Sequence, residues 1–438
     1  MRRMTLALVS SLAVGLAHAQ LGLPVRVPLT VPQLPQAPIA TLDRTLQGVD
    51  SQVDANVLQD TRSLQVRALI RANRATLEAD PNGAAIVRNE IVAFSPSDAD
   101  VALAQNAGFS VIGIRNLDGL DARIVILQAP QGLSTARALV RLRTLLPAGQ
   151  FDFNHLYSQS AAPDAAGAAA PVDSAASPAP TPAGTRVGLI DGGIDGAHPV
   201  FHDLLIHRHG CAEVAVPSAH GTAVASLMVG RSADFRGAAP GAELYAGDVY
   251  CGVPTGGAVD AVSEALAWLV HERVPVINVS LVGPPNVILE SVVRVVIARG
   301  FIIVAAVGND GPAAPPLYPA SYPGVIGVTA VDAHRHVLVE AARGPQVRFA
   351  APGADMVAAK SPQGFEAVRG TSFAAPLVAC LLAAELRAPD KVAAAQAVND
   401  LAARAVDLGA RGLDPVYGYG LVAGDLGPDI RLAGLRAR

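Results

Sequence analysis

Charged residues are scarce in this chain of 438 residues: aspartate, glutamate, lysine and arginine make up 16%, while hydrophobic residues make up 51%. This balance excludes a disordered protein and predicts a large hydrophobic core, and the length allows two or three domains. An excess of either sign of charge is also lacking, because the formal net charge is -4 and the pI is about 6.2. We therefore expect neither nucleic acid nor an anionic membrane surface as a partner.

Apolar runs long enough to span a bilayer are lacking beyond the first twenty residues. There, Arg2 and Arg3 precede an apolar stretch that reaches Leu16, and Ala17-His18-Ala19 matches the small-x-small pattern of a signal peptidase site. The stretch is shorter than the ~20 apolar residues that span a bilayer, which favours a cleaved signal over a membrane anchor. We expect residues 1–19 to be a signal peptide and the mature protein to be exported.

Cysteine is rare, with three residues in the whole chain. Cys211 and Cys251 lie in loop-like stretches, and export would allow them to form a disulfide. Cys380 lies in an apolar helical pattern that predicts a buried thiol. Three unpaired cysteines fit the sequence equally well, so the pairing stays open.

Composition divides the first 184 residues into regions. Residues 20–84 begin rich in proline and continue with a stretch from Thr41 to Glu78, which lacks proline and predicts a helix. Residues 85–158 show the order β-α-β-β-α-β, which is typical of a small ferredoxin-like α+β domain. Residues 159–184 are rich in alanine and proline, so we expect an exposed linker that a protease could cut.

Residues 185–438 alternate short apolar strands with helical stretches. The strands are continuous apolar runs rather than alternating ones, which indicates burial on both faces. Together with the intervening helices they predict an α/β domain with a doubly wound, mostly parallel sheet. We place its strands at Arg186–Ile190, Glu243–Val249, Val274–Ser280, Phe301–Val307 and Val325–Val331.

Four polar residues lie where predicted strands end or predicted helices begin. Asp191 and Asn309 each follow a strand, whereas His220 and Ser372 each open a helix. A helix start favours developing negative charge, and an imidazole can accept and return a proton. Because proline is excluded from helix interiors, we expect Pro376 in the first turn of the helix that Ser372 opens. Each residue alone is typical of a cap or a turn.

The set of four is far more specific, since the order Asp191, His220, Asn309, Ser372 resembles that of the subtilisin-like serine proteases. The similarity runs from Thr185 to about Gly424. It lies in the motifs Asp191-Gly192-Gly193-Ile194-Asp195, His220-Gly221-Thr222, Ile277-Asn278-Val279-Ser280-Leu281, Ala305-Ala306-Val307-Gly308-Asn309 and Gly370-Thr371-Ser372-Phe373-Ala374-Ala375-Pro376. The resemblance implies a triad of Asp191, His220 and Ser372. It also implies an oxyanion hole made by the Asn309 side chain and the Ser372 backbone amide.

The resemblance also implies where a substrate binds. An extended polypeptide would add as a strand beside Ser280, Leu281, Val282 and Gly283, and Ala306 with Val307 would help to form an apolar pocket. Two departures from the family stand out. Gly192 replaces a hydroxyl residue that is frequent after the aspartate, which predicts looser hydrogen bonding of the carboxylate. Val282 replaces a glycine, which predicts a narrower pocket for the residue before the scissile bond.

The function implied is that of a secreted serine endopeptidase, acting on polypeptides and made as a zymogen. Residues 85–158 would be an inhibitory propeptide that acts in cis and is removed by self-cleavage in the linker. This chemistry requires no cofactor. Structural calcium is common in the family, but the sequence offers no complete set of ligands for it or for another metal. The oligomeric state is not predicted.

Two other functions compete with this interpretation. A lipase or esterase of the α/β-hydrolase class would place serine before aspartate and histidine, in a Gly-x-Ser-x-Gly motif. Here Ser372 comes last, and Ala374 stands in place of the second glycine. A catalytically silent subtilisin-fold binding protein is the other alternative, because a fold alone does not establish activity. The presence of all four functional groups favours the enzyme.

Overall fold

A computed structural model describes residues 61–159, 181–233 and 235–424, except for the side chain of Glu213. The predicted signal peptide, the proline-rich region and most of the linker lie outside the described residues. Of the helix predicted from Thr41 to Glu78, residues 61–72 are helical and are named α1. Glu78 lies instead in strand β1 (Leu77–Ala79), so the helix prediction is wrong at this end. Antiparallel pairing of β1 with residues 85–87 outweighs the local helical preference there.

The residues before the linker form an antiparallel sheet with two helices. Its elements are β2 (Ala85–Phe94), α2 (Asp98–Asn106), β3 (Ser110–Leu117), β4 (Ala122–Gln128), α3 (Thr135–Leu145) and β5 (Phe151–His155). The spatial order is β5-β2-β4-β3, and β1 also pairs with β2. Ser97 and Ser134 cap the two helices. The short strand β6 (Ser158–Gln159) follows β5.

The second part of the chain is built on a parallel sheet of seven strands. They are β7 (Arg186–Asp191), β8 (Ile206–His209), β9 (Glu243–Asp248), β10 (Val276–Val279), β12 (Ile302–Ala306), β13 (Ile326–Val331) and β14 (Val347–Pro352). Between β10 and β12 lies the short strand β11 (Leu281–Val282). The spatial order is β14-β13-β12-β10-β7-β9-β8, and every pair in it is parallel. The five predicted strands are confirmed, while β8 and β14 were not predicted.

Helices cover both faces of this sheet, which is why its strands are apolar throughout. One core contains side chains of α4 (Ala219–Val229), α7 (Thr371–Glu385) and α8 (Lys391–Arg404). The core on the other face contains side chains of α5 (Val259–His271) and α6 (Val287–Ala298). A hairpin of β15 (Met356–Ala359) and β16 (Phe365–Val368) adds to the α4 side. No helix among the described residues is both long and apolar enough to cross a membrane.

The antiparallel sheet packs against α5 and α6. Leu117 and Leu120 join the core that these two helices share with the parallel sheet. At the N-terminal ends of the helices, Asn154 Nδ2 donates to Asp260 Oδ1 at 3.0 Å, and Asp152 Oδ2 accepts from the Val287 amide at 2.9 Å. Beyond this interface the chain continues into β6, which pairs antiparallel with β11.

Candidate active site

The candidate site lies where the strand order of the parallel sheet reverses, between β7 and β10. In doubly wound sheets a crevice opens at this point, outside the carboxyl ends of the strands. Asp191 is the last residue of β7, Ser280 directly follows β10, and Asn309 lies three residues beyond β12. The first turns of α4 and α7 bring His220 and Ser372 to the same edge.

The aspartate, histidine and serine side chains form one hydrogen-bonded chain. His220 Nδ1 lies 2.8 Å from Asp191 Oδ2 and 3.0 Å from Oδ1, and His220 Nε2 lies 3.0 Å from Ser372 Oγ. Asp191 and Ser372 are fully buried, and 8% of His220 is exposed. A carboxylate that accepts from Nδ1 holds the imidazole in the tautomer whose Nε2 can accept the serine proton.

The first turn of α4 positions the His220 side chain. Ser218 caps the helix, and its Oγ accepts from the Gly221 amide at 2.9 Å. A Cβ atom at residue 221 would lie 2.2 Å from the carbonyl oxygen of Gly192, so only glycine allows this approach. The glycine after His220 is therefore needed to bring the imidazole over Asp191.

The Asp191 carboxylate has two further donors. The Gly192 amide donates to Oδ1 at 2.6 Å, and Gln159 Nε2 donates to the same oxygen at 3.2 Å. A Cβ atom at residue 192 would lie 2.4 Å from Ser218 Oγ, so the hydroxyl of Ser218 fills the space that a side chain there would need. Gln159 thus supplies a side-chain donor where the family often has a hydroxyl, and the looser hydrogen bonding predicted from Gly192 stays a prediction for an enzyme without this segment.

The start of α7 also positions Asn309. The Thr371 amide donates to Asn309 Oδ1 at 3.0 Å, and Thr371 Oγ1 accepts from the Gly308 amide at 3.2 Å. With Oδ1 held in this way, the donating end of the Asn309 amide is Nδ2. The Ser372 amide lies in the first turn of α7, where backbone N–H groups take no part in the helical ladder. Thr371 belongs to the serine motif, but its contacts with Gly308 and Asn309 were not predicted.

Pro376 is the sixth residue of α7, so its predicted place in the first turn is wrong. Its ring nitrogen cannot donate to the carbonyl of Ser372, four residues earlier. Ser280 Oγ donates to that carbonyl instead at 3.0 Å, and Asn278 Nδ2 donates to Ser280 Oγ at 2.8 Å. Ser280 therefore supplies the hydrogen bond that Pro376 cannot donate, and it connects the end of β10 to Ser372.

Replacing Ser280 by alanine should lower the free energy of unfolding by about 1–3 kcal/mol, because the buried Ser372 carbonyl loses its side-chain donor. The added change Pro376→Ala should recover part of the loss, since alanine has an N–H in position to bond to that carbonyl. Both are measured by urea unfolding in a Ser372→Ala background, which avoids self-digestion. Equal destabilisation with and without Pro376→Ala would contradict this account.

The predicted substrate strand is occupied by the chain itself. In the pairing of β6 with β11, Gln159 lies opposite Leu281, and Ser158 lies opposite Val282. Next to Val282, Gly283 packs under the Tyr157 ring, since a Cβ there would lie 2.6 Å from a ring carbon. On the other side of the segment, the Tyr157 amide donates to the Gly257 carbonyl at 2.8 Å. The sequence gave no indication that the Tyr157 segment would also bond to Gly257.

Ala306 and Val307 are fully buried on opposite faces of the parallel sheet. Ala306 belongs to the core on the α4 and α7 side, and Val307 belongs to the core on the α5 and α6 side. Their side chains thus pack within the two cores. That they also form part of an apolar substrate pocket stays a prediction.

Comparison with known proteins gives the family. The profile of the subtilase family, peptidase S8, matches residues 182–420, which is more than half of the chain. The chain belongs to the subtilase family. Subtilisin BL of Lederbergia lenta is 34% identical over 206 residues, which cover 46% of this chain and 75% of that protein. Together these matches indicate a serine endopeptidase.

Two further matches are partial. The minor extracellular protease Epr of Bacillus subtilis (strain 168) is 30% identical over 206 residues, 46% of this subtilase and 32% of Epr. Fervidolysin from Fervidobacterium pennivorans, a keratinolytic enzyme related to subtilisin, aligns with a TM-score of 0.64 at 19% identity, covering 78% of this chain and 61% of fervidolysin. The chain thus spans under two thirds of either protein. The likeness to fervidolysin is one of fold.

Of the two alternatives for the cysteines of this subtilase, the structure shows the one with a disulfide and a buried thiol. Cys211 and Cys251 form a disulfide, and Cys380 is a buried thiol whose pKa is raised by burial. Within the described ranges, one group of side chains could hold a metal, namely Cys211, Asp248 and Cys251. Two of its three ligands are already bonded to each other, so this group does not fit a metal. Whether the chain binds structural calcium stays open, and no ligands are assigned to it.

Proposed function

We propose that this subtilase is an exported serine endopeptidase that hydrolyses peptide bonds through an acyl-enzyme intermediate. The proposal depends on one observation: Asp191, His220 and Ser372 form a continuous hydrogen-bonded chain at one edge of the sheet. These residues are far apart along the sequence, and no local structural need explains their convergence. The extracellular relative Epr and the predicted signal peptide support export.

In the proposed reaction, Ser372 Oγ attacks the substrate carbonyl while His220 Nε2 takes the hydroxyl proton. Asp191 stabilises the imidazolium that forms and keeps its Nδ1 proton in place. His220 then donates the proton to the leaving amine. In the second half, His220 activates a water molecule that hydrolyses the ester and releases Ser372.

The oxyanion of each tetrahedral intermediate needs preorganised donors. We assign this role to Asn309 Nδ2 and the Ser372 amide. The hydrogen bond from the Thr371 amide to Asn309 Oδ1 supports the assignment, because it fixes which end of the Asn309 amide can donate. The dipole of α7 acts in the same direction, since its N-terminal end lies at Ser372.

Residues 85–158 are proposed to be a ferredoxin-like propeptide that inhibits the enzyme in cis. Three observations support this role: the packing against α5 and α6, the pairing of β6 with the predicted substrate strand, and the bond from Gln159 to Asp191. The fold likeness to fervidolysin covers 78% of the chain, well beyond the family match at residues 182–420. We propose that self-cleavage in the linker, residues 159–184, starts maturation.

A fluorophosphonate probe tests this function against a silent binding protein, because only an activated serine reacts with it. The matured protein should become labelled at Ser372, as located by mass spectrometry of its peptides. The precursor should react far more slowly, since Ser372 is fully buried there. Ser372→Ala is the matched control and should remain unlabelled. Failure of the matured wild-type protein to react would support the silent alternative.

A further inference from the structure

An acidic side chain lies directly beside the proposed oxyanion hole. Asp310 follows Asn309 in the chain, and 14% of its side chain is exposed. Arg62, from α1, reaches this carboxylate with Nε at 3.3 Å from Oδ2 and Nη1 at 3.4 Å from Oδ1. The same guanidinium donates from Nη2 to the Val282 carbonyl at 3.1 Å and to Ser158 Oγ at 3.4 Å. A guanidinium therefore fits between Asp310 and the substrate strand.

We propose that Asp310 and the Val282 carbonyl form a cation-binding subsite that selects arginine or lysine in the substrate, at the residue before the scissile bond. In the precursor, Arg62 stands in for that substrate side chain. This inference rests on the proposed endopeptidase function and adds to it a preference for a cation, in place of the apolar pocket predicted from the sequence.

The position of the subsite follows from the chemistry of the oxyanion hole. The carbonyl held there belongs to the residue before the scissile bond, and the side chain of that residue begins one bond away from the carbonyl carbon. Asp310 is adjacent in sequence to Asn309, which holds the oxyanion, so a long cationic side chain can reach it. Val282 forms the other wall, since it pairs with the chain segment that occupies the cleft.

Burial explains why the carboxylate needs a cation. Burial raises the pKa of Asp310, and the charge of Arg62 opposes that rise. A partly buried carboxylate is costly without a partner. Arg62 precedes the proposed cleavage region, so it leaves together with the propeptide when the matured enzyme forms. The carboxylate is then open to a cation from the substrate.

The test uses matured enzyme and two quenched fluorescent peptides that differ at one position. The residue before the cleaved bond is arginine in one peptide and citrulline, its uncharged isostere, in the other. Wild-type enzyme should favour arginine in kcat/KM by about 10- to 100-fold, the usual effect of a hydrogen bond to a charged group. Asp310→Asn should remove most of this preference by lowering kcat/KM for the arginine peptide far more than kcat/KM for the citrulline peptide.

Two variants serve as controls. Asp203→Asn removes an exposed carboxylate that pairs with its neighbour His202, and it should leave the preference unchanged. Asp310→Glu keeps the charge and should retain a measurable part of the preference. Equal rates of the wild-type enzyme on the two peptides would overturn the inference, and so would an unchanged preference in Asp310→Asn. Failure to cleave any peptide would overturn the proposed function as well.

Discussion

Replacing Ser372 by alanine should lower kcat about 10⁶-fold, the loss typical of removing the nucleophile from such a triad. Alanine leaves His220 and Asp191 in place, but no atom remains that can form the acyl-enzyme. Because maturation is proposed to be self-cleavage, the same variant should accumulate as the precursor, with the linker at residues 159–184 intact. Peptide hydrolysis measures the first effect, and the intact mass of the purified protein measures the second.

A matched serine variant separates loss of the nucleophile from loss of the fold. Ser361 donates to Asp195 and lies outside the triad, so Ser361→Ala should mature and cleave as the wild type does. A trace of matured wild-type enzyme should then process the Ser372→Ala precursor, because its linker is unchanged. Processing of Ser372→Ala in pure form would refute self-cleavage, whatever its effect on kcat.

Replacing Asp191 by asparagine should lower kcat about 10⁴-fold with little change in KM. The amide has nearly the same shape as the carboxylate, but its NH₂ group can face His220 Nδ1 and favour the wrong tautomer. His220 Nε2 would then carry a proton and could not accept the one from Ser372. KM should hold because, in the proposed mechanism, the substrate carbonyl contacts Ser372 and the oxyanion donors and not Asp191.

The measurement needs enzyme that has been matured in trans by wild-type protein, since the variant is expected to process itself poorly. Asp195→Asn is the control: it changes the same kind of side chain four residues away, where the carboxylate accepts from Ser361 and the Ala197 amide. Its kcat should stay within about threefold of the wild type. If Asp191→Asn retained a tenth or more of the wild-type kcat, Asp191 would not be the residue that orients His220.

Prediction from sequence succeeded for features that are determined by residues close together in the sequence. Apolar runs located five strands of the parallel sheet, because burial on both faces leaves a local pattern. Prediction failed at Glu78 and Pro376. Glu78 pairs with a neighbouring strand, β2, whereas at Pro376 the distant Ser280 hydroxyl supplies the hydrogen bond that proline cannot donate.

Chain order and motifs were enough to identify Asp191, His220, Asn309 and Ser372 as the candidate residues of the site. The surroundings of these residues depend on tertiary contacts. Gln159 on the carboxylate, the pairing of β6 with β11 and the contact of Arg62 with Asp310 join residues that lie 32, 122 and 248 positions apart. No local sequence pattern predicts these contacts, because they depend on how residues 61–159 pack against the parallel sheet and its helices.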